Sequence, residues 1–149
     1  MPKASVHASG ALRAFLEGIL VEVAAIGPNR ALDQVWYSLG GERGLEHALM
    51  PWLAGRPIPL MAYSPIDQGR ASSDATLAGI AEARGPSPTQ PALGRVLTEP
   101  GVVAIPKATG AAHLRENLVA AGVVFTALEK QAIDEAFPCP SRRTSLAMN

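Results

Sequence analysis

Apolar residues recur along this chain first at helical spacing, then as short runs separated by helical stretches. Leu12, Phe15, Leu16, Ile19, Leu20, Val23 and Ile26 fall on one face of a helix predicted over Ala11 to Ile26. Glu17 and Glu22 interrupt that stretch, so it is neither a membrane span nor a secretory signal core. It reads as a helix packed on the chain's own core, with a partner-binding helix as the alternative. Residues 1–30 form a segment apart from the pattern that follows.

After Pro28 the pattern becomes strand-then-helix. Ala31 to Leu39 is rich in β-formers and ends at Gly40 and Gly41, which predicts a strand. Gly44 to Ala54 has Leu45, Leu49, Trp52 and Leu53 at helical spacing, with Pro51 as a kink or break. Ile58 to Tyr63 is a nearly continuous apolar run, the pattern of a strand buried on both faces of a parallel sheet. A polar loop, Ser64 to Ser73, leads to a helix from Asp74 to about Arg84, with Asp74 as its N-cap. A further helix is predicted over Ser87 to Leu97, where Pro88 suits the first turn and Pro91 does not suit an interior. Gly101 to Ile105 predicts a third buried strand. Helices over Gly110 to Ala121 and Thr126 to Phe137 follow, the second opened by a Thr126–Glu129 capping box, and the tail from Pro138 reads as irregular.

Three strands each followed by helix give an α/β protein with a parallel sheet and right-handed crossovers. Either a doubly wound open sheet or part of a (β/α)8 barrel fits. A complete barrel needs about 250 residues, more than the 149 present.

Composition narrows the functional classes. An apolar content of 48% against 17% charged describes a globular chain rather than a disordered one. The net charge is +0 and the basic residues are scattered, which argues against nucleic acid. Cys139 is the single cysteine, so neither an intrachain disulfide nor a cysteine-cluster metal site can form, and a cytoplasmic setting is the default. It reads as a surface or packing thiol, with no base or helix start beside it.

Ligands of parallel α/β sheets sit at the carboxyl ends of the strands. That rule singles out Gln34 to Ser38, Tyr63 to Arg70, and Lys107 with the helix after it. Lys107 lies between a strand and a helix start near Gly110, where free backbone N–H groups and the helix dipole attract anions. His113, Glu116 and Asn117 cluster on the first two turns of that helix. The group reads as a phosphate site with polar residues above it, or as an ordinary solvated helix face. Tyr63, at a strand mouth, could stack on a flat heterocycle or sit in the core. Gln34 is polar in a run expected to be buried, so it bonds backbone or reads a ligand amide. Gly40, Gly41 and Gly44 lack the full dinucleotide-loop spacing and its downstream acid, which leaves them as turn glycines.

From about Leu32 to Leu146, four ordered segments carry a resemblance: DQVWYSLGGERGLEH, IPLMAYSPIDQGR, PGVVAIPKATGAAHLREN and FTALEKQAIDEAFPCPSRRT. The chain resembles the C-terminal half of the aldo-keto reductases, in particular their bacterial and potassium-channel-β-like branch. That resemblance implies part of a (β/α)8 barrel over residues 31–149, NADP(H) as cofactor and small aldehydes or ketones as substrates. It implies that Gln34 bonds the nicotinamide carboxamide and Tyr63 stacks on the nicotinamide. Ser64, Pro65, Ile66, Gln68 and Arg70 fall in the loop over the pyrophosphate. Ile105, Pro106 and Lys107 match the segment holding the adenosine 2′-phosphate, Lys107 favouring NADP over NAD. His113 stands where many members have arginine, and Glu116 and Asn117 match the pair at adenine.

The departures are specific. Asp33 replaces a usual asparagine, Asp67 a usual glycine and Ala108 a frequent serine, while Pro91, Gly94 and Arg95 break a normally clean amphipathic helix. The family's catalytic aspartate, tyrosine, lysine and histidine come from its first four strands, which have no counterpart here, and no Ser-Asn pair precedes Gln34. Tyr37 and His47 sit at no matching position and read as packing or surface residues. The resemblance thus implies a truncated form with part of the NADP site, no catalytic residue and no activity alone. A non-catalytic NADP-binding or partner-binding module is the alternative. Exposed sheet edges imply self-association.

Overall fold

A computed structural model describes residues 32–141 apart from 42, 48, 57, 85 and 86. The helix expected over residues 11–26, the segment 1–30 and the end of the tail lie outside the described residues. Three strands form one parallel sheet: β1 (Asp33–Trp36), β2 (Leu60–Tyr63) and β3 (Val102–Ile105), in that spatial order. Between β1 and β2 lie a 3-10 turn (Gly44–His47) and helix α1 (Leu49–Ala54). A second 3-10 stretch (Asp67–Ser73), α2 (Ala75–Arg84) and α3 (Thr89–Leu97) connect β2 to β3, and α4 (Ala111–Ala120) and α5 (Ala127–Ala136) follow.

Sequential strand order decides between the two architectures. A doubly wound sheet reverses its order to place helices on both faces, whereas a run of same-handed crossovers places them on one. Here one face of the sheet, carrying Leu60 and Ala62, packs with Tyr37, Leu45, Leu49, Leu53, Ile58 and Val96, and with the half-buried Val35, Val102 and Ala104. The opposite face, which alternation assigns to Gln34, Trp36, Met61, Tyr63, Val103 and Ile105, has no helical layer. This is a segment of a (β/α)8 barrel with its inner face open. The strands are therefore not buried on both sides as their apolar runs suggest: Val103 is 49% exposed and Ile105 41%. A second cluster, with Leu39, Leu77, Ile80, Ala92, Phe125 and Ile133, joins the helices beyond the strand ends.

The local rules explain most element ends. Asp74 Oδ1 accepts the Thr76 and Leu77 amides at 2.9 and 3.1 Å and caps α2. Thr126 and Glu129 form the reciprocal capping box that opens α5. The Arg84 guanidinium and the Thr126 amide beside Glu129 hold its carboxyl down to about 2. Pro91 disrupts nothing, contrary to its expected cost. It is the third residue of α3, in the first turn, where a backbone N–H has no intrahelical carbonyl to meet. Pro51 holds the same place in α1, and the expected single helix from Gly44 is instead a 3-10 turn and a separate α-helix.

Gly94 and Arg95, which break the amphipathic pattern of α3, both have structural work. A Cβ on Gly94 would stand 3.1 Å from Val123 Cβ and 3.2 Å from the Ala120 carbonyl, so α4 approaches through the missing side chain. Arg95 is buried and bonds Glu99, while its other nitrogen reaches Asp134 on α5 at 3.0 Å.

Candidate functional site

The parallel register sets the frame of the site. Trp36, Tyr63 and Ile105 are cross-strand neighbours at the carboxyl ends of the three strands, and Gln34 pairs with Met61 one step deeper. Tyr63 is half-buried and Gln34 exposed, both on the open face. The reading of Gln34 as a buried amide is thus corrected: the face it occupies has no layer above it, and water satisfies its carboxamide.

Beyond β2 the chain turns back through Ser64 to Arg70 in an unusual backbone. Ser64, Asp67 and Gln68 have φ of 49°, 50° and 55°, and Gly69 follows at 86°. Non-glycine residues in this left-handed region cost of order 1–3 kcal/mol each and cluster where backbone shape serves binding. The resemblance's glycine at position 67 is therefore the residue type this backbone favours, and Asp67 occupies it at a cost. Within the turn Pro65 is buried, Ile66 half-buried, and Gln68 and Arg70 exposed.

Asp67 is the feature that sequence reasoning only partly caught. Its side chain is 2% exposed, and both its carboxylate oxygens meet Arg70: Nε to Oδ2 at 3.0 Å and Nη2 to Oδ1 at 2.7 Å. Hydrogen bonding by Asp67, then its charge, raises the Arg70 pKa. The charge expected to stand free near a cofactor is instead neutralised within the loop. The pair borders a cleft with Trp36, Gly40 and Phe137 at the carboxyl end of the sheet. Another, mainly apolar cavity opens at the opposite end of the strands, by Ile58, Leu60 and Gly101, away from every candidate residue. The side chain of Asp33 is outside those described.

The third group follows β3. Ile105 and Pro106 end the strand, and Lys107 is exposed ahead of α4. Gly110 begins that helix with no side-chain cap, so its first N–H groups face outward beside the lysine charge. His113 Nδ1 lies 3.3 Å from Glu116 Oε2, which also receives the Ser87 hydroxyl at 3.3 Å. Glu116 and the half-buried Asn117 thus stand on the α4 flank that meets the start of α3. Exposure, the open face and the uncapped helix start suit a dinucleotide lying across the strand ends. Arg70 alone is already engaged.

Tyr37 and His47 divide as their unmatched positions suggest. Tyr37 is fully buried, and its hydroxyl donates to Glu46 Oε1 at 2.8 Å; burial, then the Glu46 charge, pushes its pKa up. His47 is exposed. Cys139 is exposed at one side, and partial burial with the Glu46 charge raises its thiol pKa, which opposes reactivity. Among the described residues no cluster of histidine, cysteine and carboxylates could hold a metal ion, and no helix is long and apolar enough to cross a membrane.

Comparison with known proteins gives a consistent result. No family model matches the chain. It is 39% identical over 127 residues to methylglyoxal reductase YeaE of Escherichia coli, covering 82% of this chain and 44% of that protein. An aldo-keto reductase from Klebsiella pneumoniae, solved with NADPH, superposes with a TM-score of 0.76 at 37% identity, over 80% of this chain and 43% of that one. A Klebsiella pneumoniae aldo/keto reductase solved with NADP and acetate gives 0.76 at 36%, over 80% and 44%. The chain thus spans less than half the length of the relatives it matches. By sequence and by fold, it belongs with the aldo-keto reductases.

Proposed function

We propose that this chain carries the NADP(H)-binding part of an aldo-keto reductase-type oxidoreductase, which reduces small aldehydes or ketones to alcohols, and that the 149 residues alone bind the dinucleotide without turning it over. One observation carries the reading. Gln34 and Tyr63 share the open face of the sheet, and Lys107 leaves the neighbouring strand toward an uncapped helix start. Tyr63 offers a ring for the nicotinamide and Gln34 a carboxamide for its amide. Ser64, Pro65, Ile66, Gln68 and Arg70 line the pyrophosphate; Ile105, Pro106 and Lys107 hold the 2′-phosphate; His113, Glu116 and Asn117 flank the adenine.

Bound NADPH would supply the hydride. Carbonyl reduction also needs a proton donor beside the acceptor carbon, and no residue of the open face is placed for that. NADPH fluorescence titration is expected to show saturable binding, while a panel of aldehydes gives no NADPH oxidation above background. Absence of binding at millimolar NADPH refutes the cofactor assignment, and turnover refutes the claim of inactivity.

The reading includes a cytoplasmic setting and self-association. β1 and β3 each leave a strand edge unpaired within the described sheet, and the open face carries Val103 and Ile105. Such surfaces favour burial against another copy. Sedimentation velocity is expected to show concentration-dependent oligomers; a monomer at all concentrations rules self-association out. The alternative, a non-catalytic module, shares the site and differs only in lacking any catalytic context.

A further inference from the structure

We infer that Asp67 sets the affinity of the dinucleotide site by occupying Arg70, so that the cofactor's pyrophosphate must compete with an internal carboxylate for that guanidinium. The inference rests on the NADP reading above and goes beyond it, because it makes Asp67 a determinant of affinity rather than a bystander.

Three observations support it. First, the geometry is that of a ligand. Asp67 presents two oxygens to two guanidinium nitrogens at 2.7 and 3.0 Å, the bidentate arrangement a phosphate also adopts with arginine. Second, the two partners differ in exposure. Arg70 is 63% exposed at the cleft while the Asp67 side chain is 2% exposed, so an incoming anion reaches the guanidinium and not the carboxylate. A diphosphate approaching this pair meets a net charge near zero, and Asp67 also repels it directly. Third, the backbone makes the position tunable. Asp67 sits at φ 50°, a conformation that asparagine and glycine accept more readily than other residues. Its charge can therefore be removed without forcing a new turn.

The test is a thermodynamic cycle of dissociation constants for NADPH and NADH, measured on the full chain by fluorescence titration. Asp67→Asn is expected to tighten both cofactors about threefold to tenfold, the modest gain appropriate to a largely exposed guanidinium. Both respond alike because the pyrophosphate is common to them. Arg70→Ala alone is expected to change binding by less than about twofold, since that charge is already spent on Asp67, and adding it to Asp67→Asn should abolish the gain. A merely structural Asp67 would give no such coupling. Thermal melting checks that each variant folds, and Asp67→Gly, which suits the same φ, replaces the asparagine variant if that one melts early.

Unchanged or weaker binding in folded Asp67 variants overturns the inference and leaves the cofactor reading intact. So does a gain that persists without Arg70, or one confined to NADPH. If neither the parent chain nor any variant binds either dinucleotide, the cofactor reading itself fails and takes this inference with it. Binding that emerges only in the Asp67 variants supports it most directly.

Discussion

Lys107→Ala is expected to weaken NADPH by roughly 1–3 kcal/mol while leaving NADH nearly unchanged, the loss of one charge-assisted hydrogen bond to phosphate. Lys107 is exposed just past β3 and just before a helix start with no side-chain cap. Two independent sources of positive potential, the ammonium and the outward N–H groups, converge on one place, and only the 2′-phosphate of NADP distinguishes the two cofactors there. The helix contribution survives the substitution, which keeps the loss from being total. Because the lysine is exposed, the difference should shrink as ionic strength rises and the Debye length shortens. Paired titrations at low and high salt read both effects. An equal loss for NADPH and NADH would mean that Lys107 steers the dinucleotide generally and does not read the 2′-phosphate.

Much of this was legible in the sequence, and for a physical reason: local signals survive in a fragment of a fold. The caps at Asp74 and Thr126 are short-range hydrogen bonds between residues two or three apart, and both formed where the residue types placed them. The strand-helix alternation gave the class, and the resemblance chose the barrel. Burial was less legible. An apolar run such as Val102–Ile105 records what a strand packs against in a closed barrel, and here one of its faces stays open. Gln34 failed in the same direction. Asp67 was visible as an extra charge, but its partner was not, because choosing Arg70 depends on a loop with three successive residues at positive φ. The network around Arg43 left no sequence signal, since its partners lie some ninety positions away.

Arg43→Ala is expected to destabilise the chain by about 3 kcal/mol, at the lower end of what removing one partner of a buried ion pair costs. Arg43 is 5% exposed and ties the start of the chain's described part to its end. Its guanidinium donates to both Glu46 oxygens, at 2.6 and 2.7 Å, and to the Phe137 carbonyl, and lies 3.2 Å from Asp134. Burial disfavours its charge, but the Glu46 and Asp134 carboxylates outweigh that and raise its pKa. Truncation leaves the Glu46 carboxylate with only the Tyr37 hydroxyl, strands the Phe137 carbonyl, and frees Asp134 to serve Arg95 alone. Arg84→Ala is the control. Its pair with Glu129 also spans distant segments, at 2.9 Å, but is 32% and 21% exposed, so the loss should stay within about 1 kcal/mol. Urea unfolding of the two variants measures the difference. The double variant Arg43→Met, Glu46→Leu should recover much of the loss, because the penalty comes from an abandoned buried charge rather than from the pair's net attraction. If Arg43→Ala costs no more than Arg84→Ala, the clamp between the 3-10 turn and α5 contributes nothing to stability, and the C-terminal helix is held by Ile133 and its apolar neighbours alone.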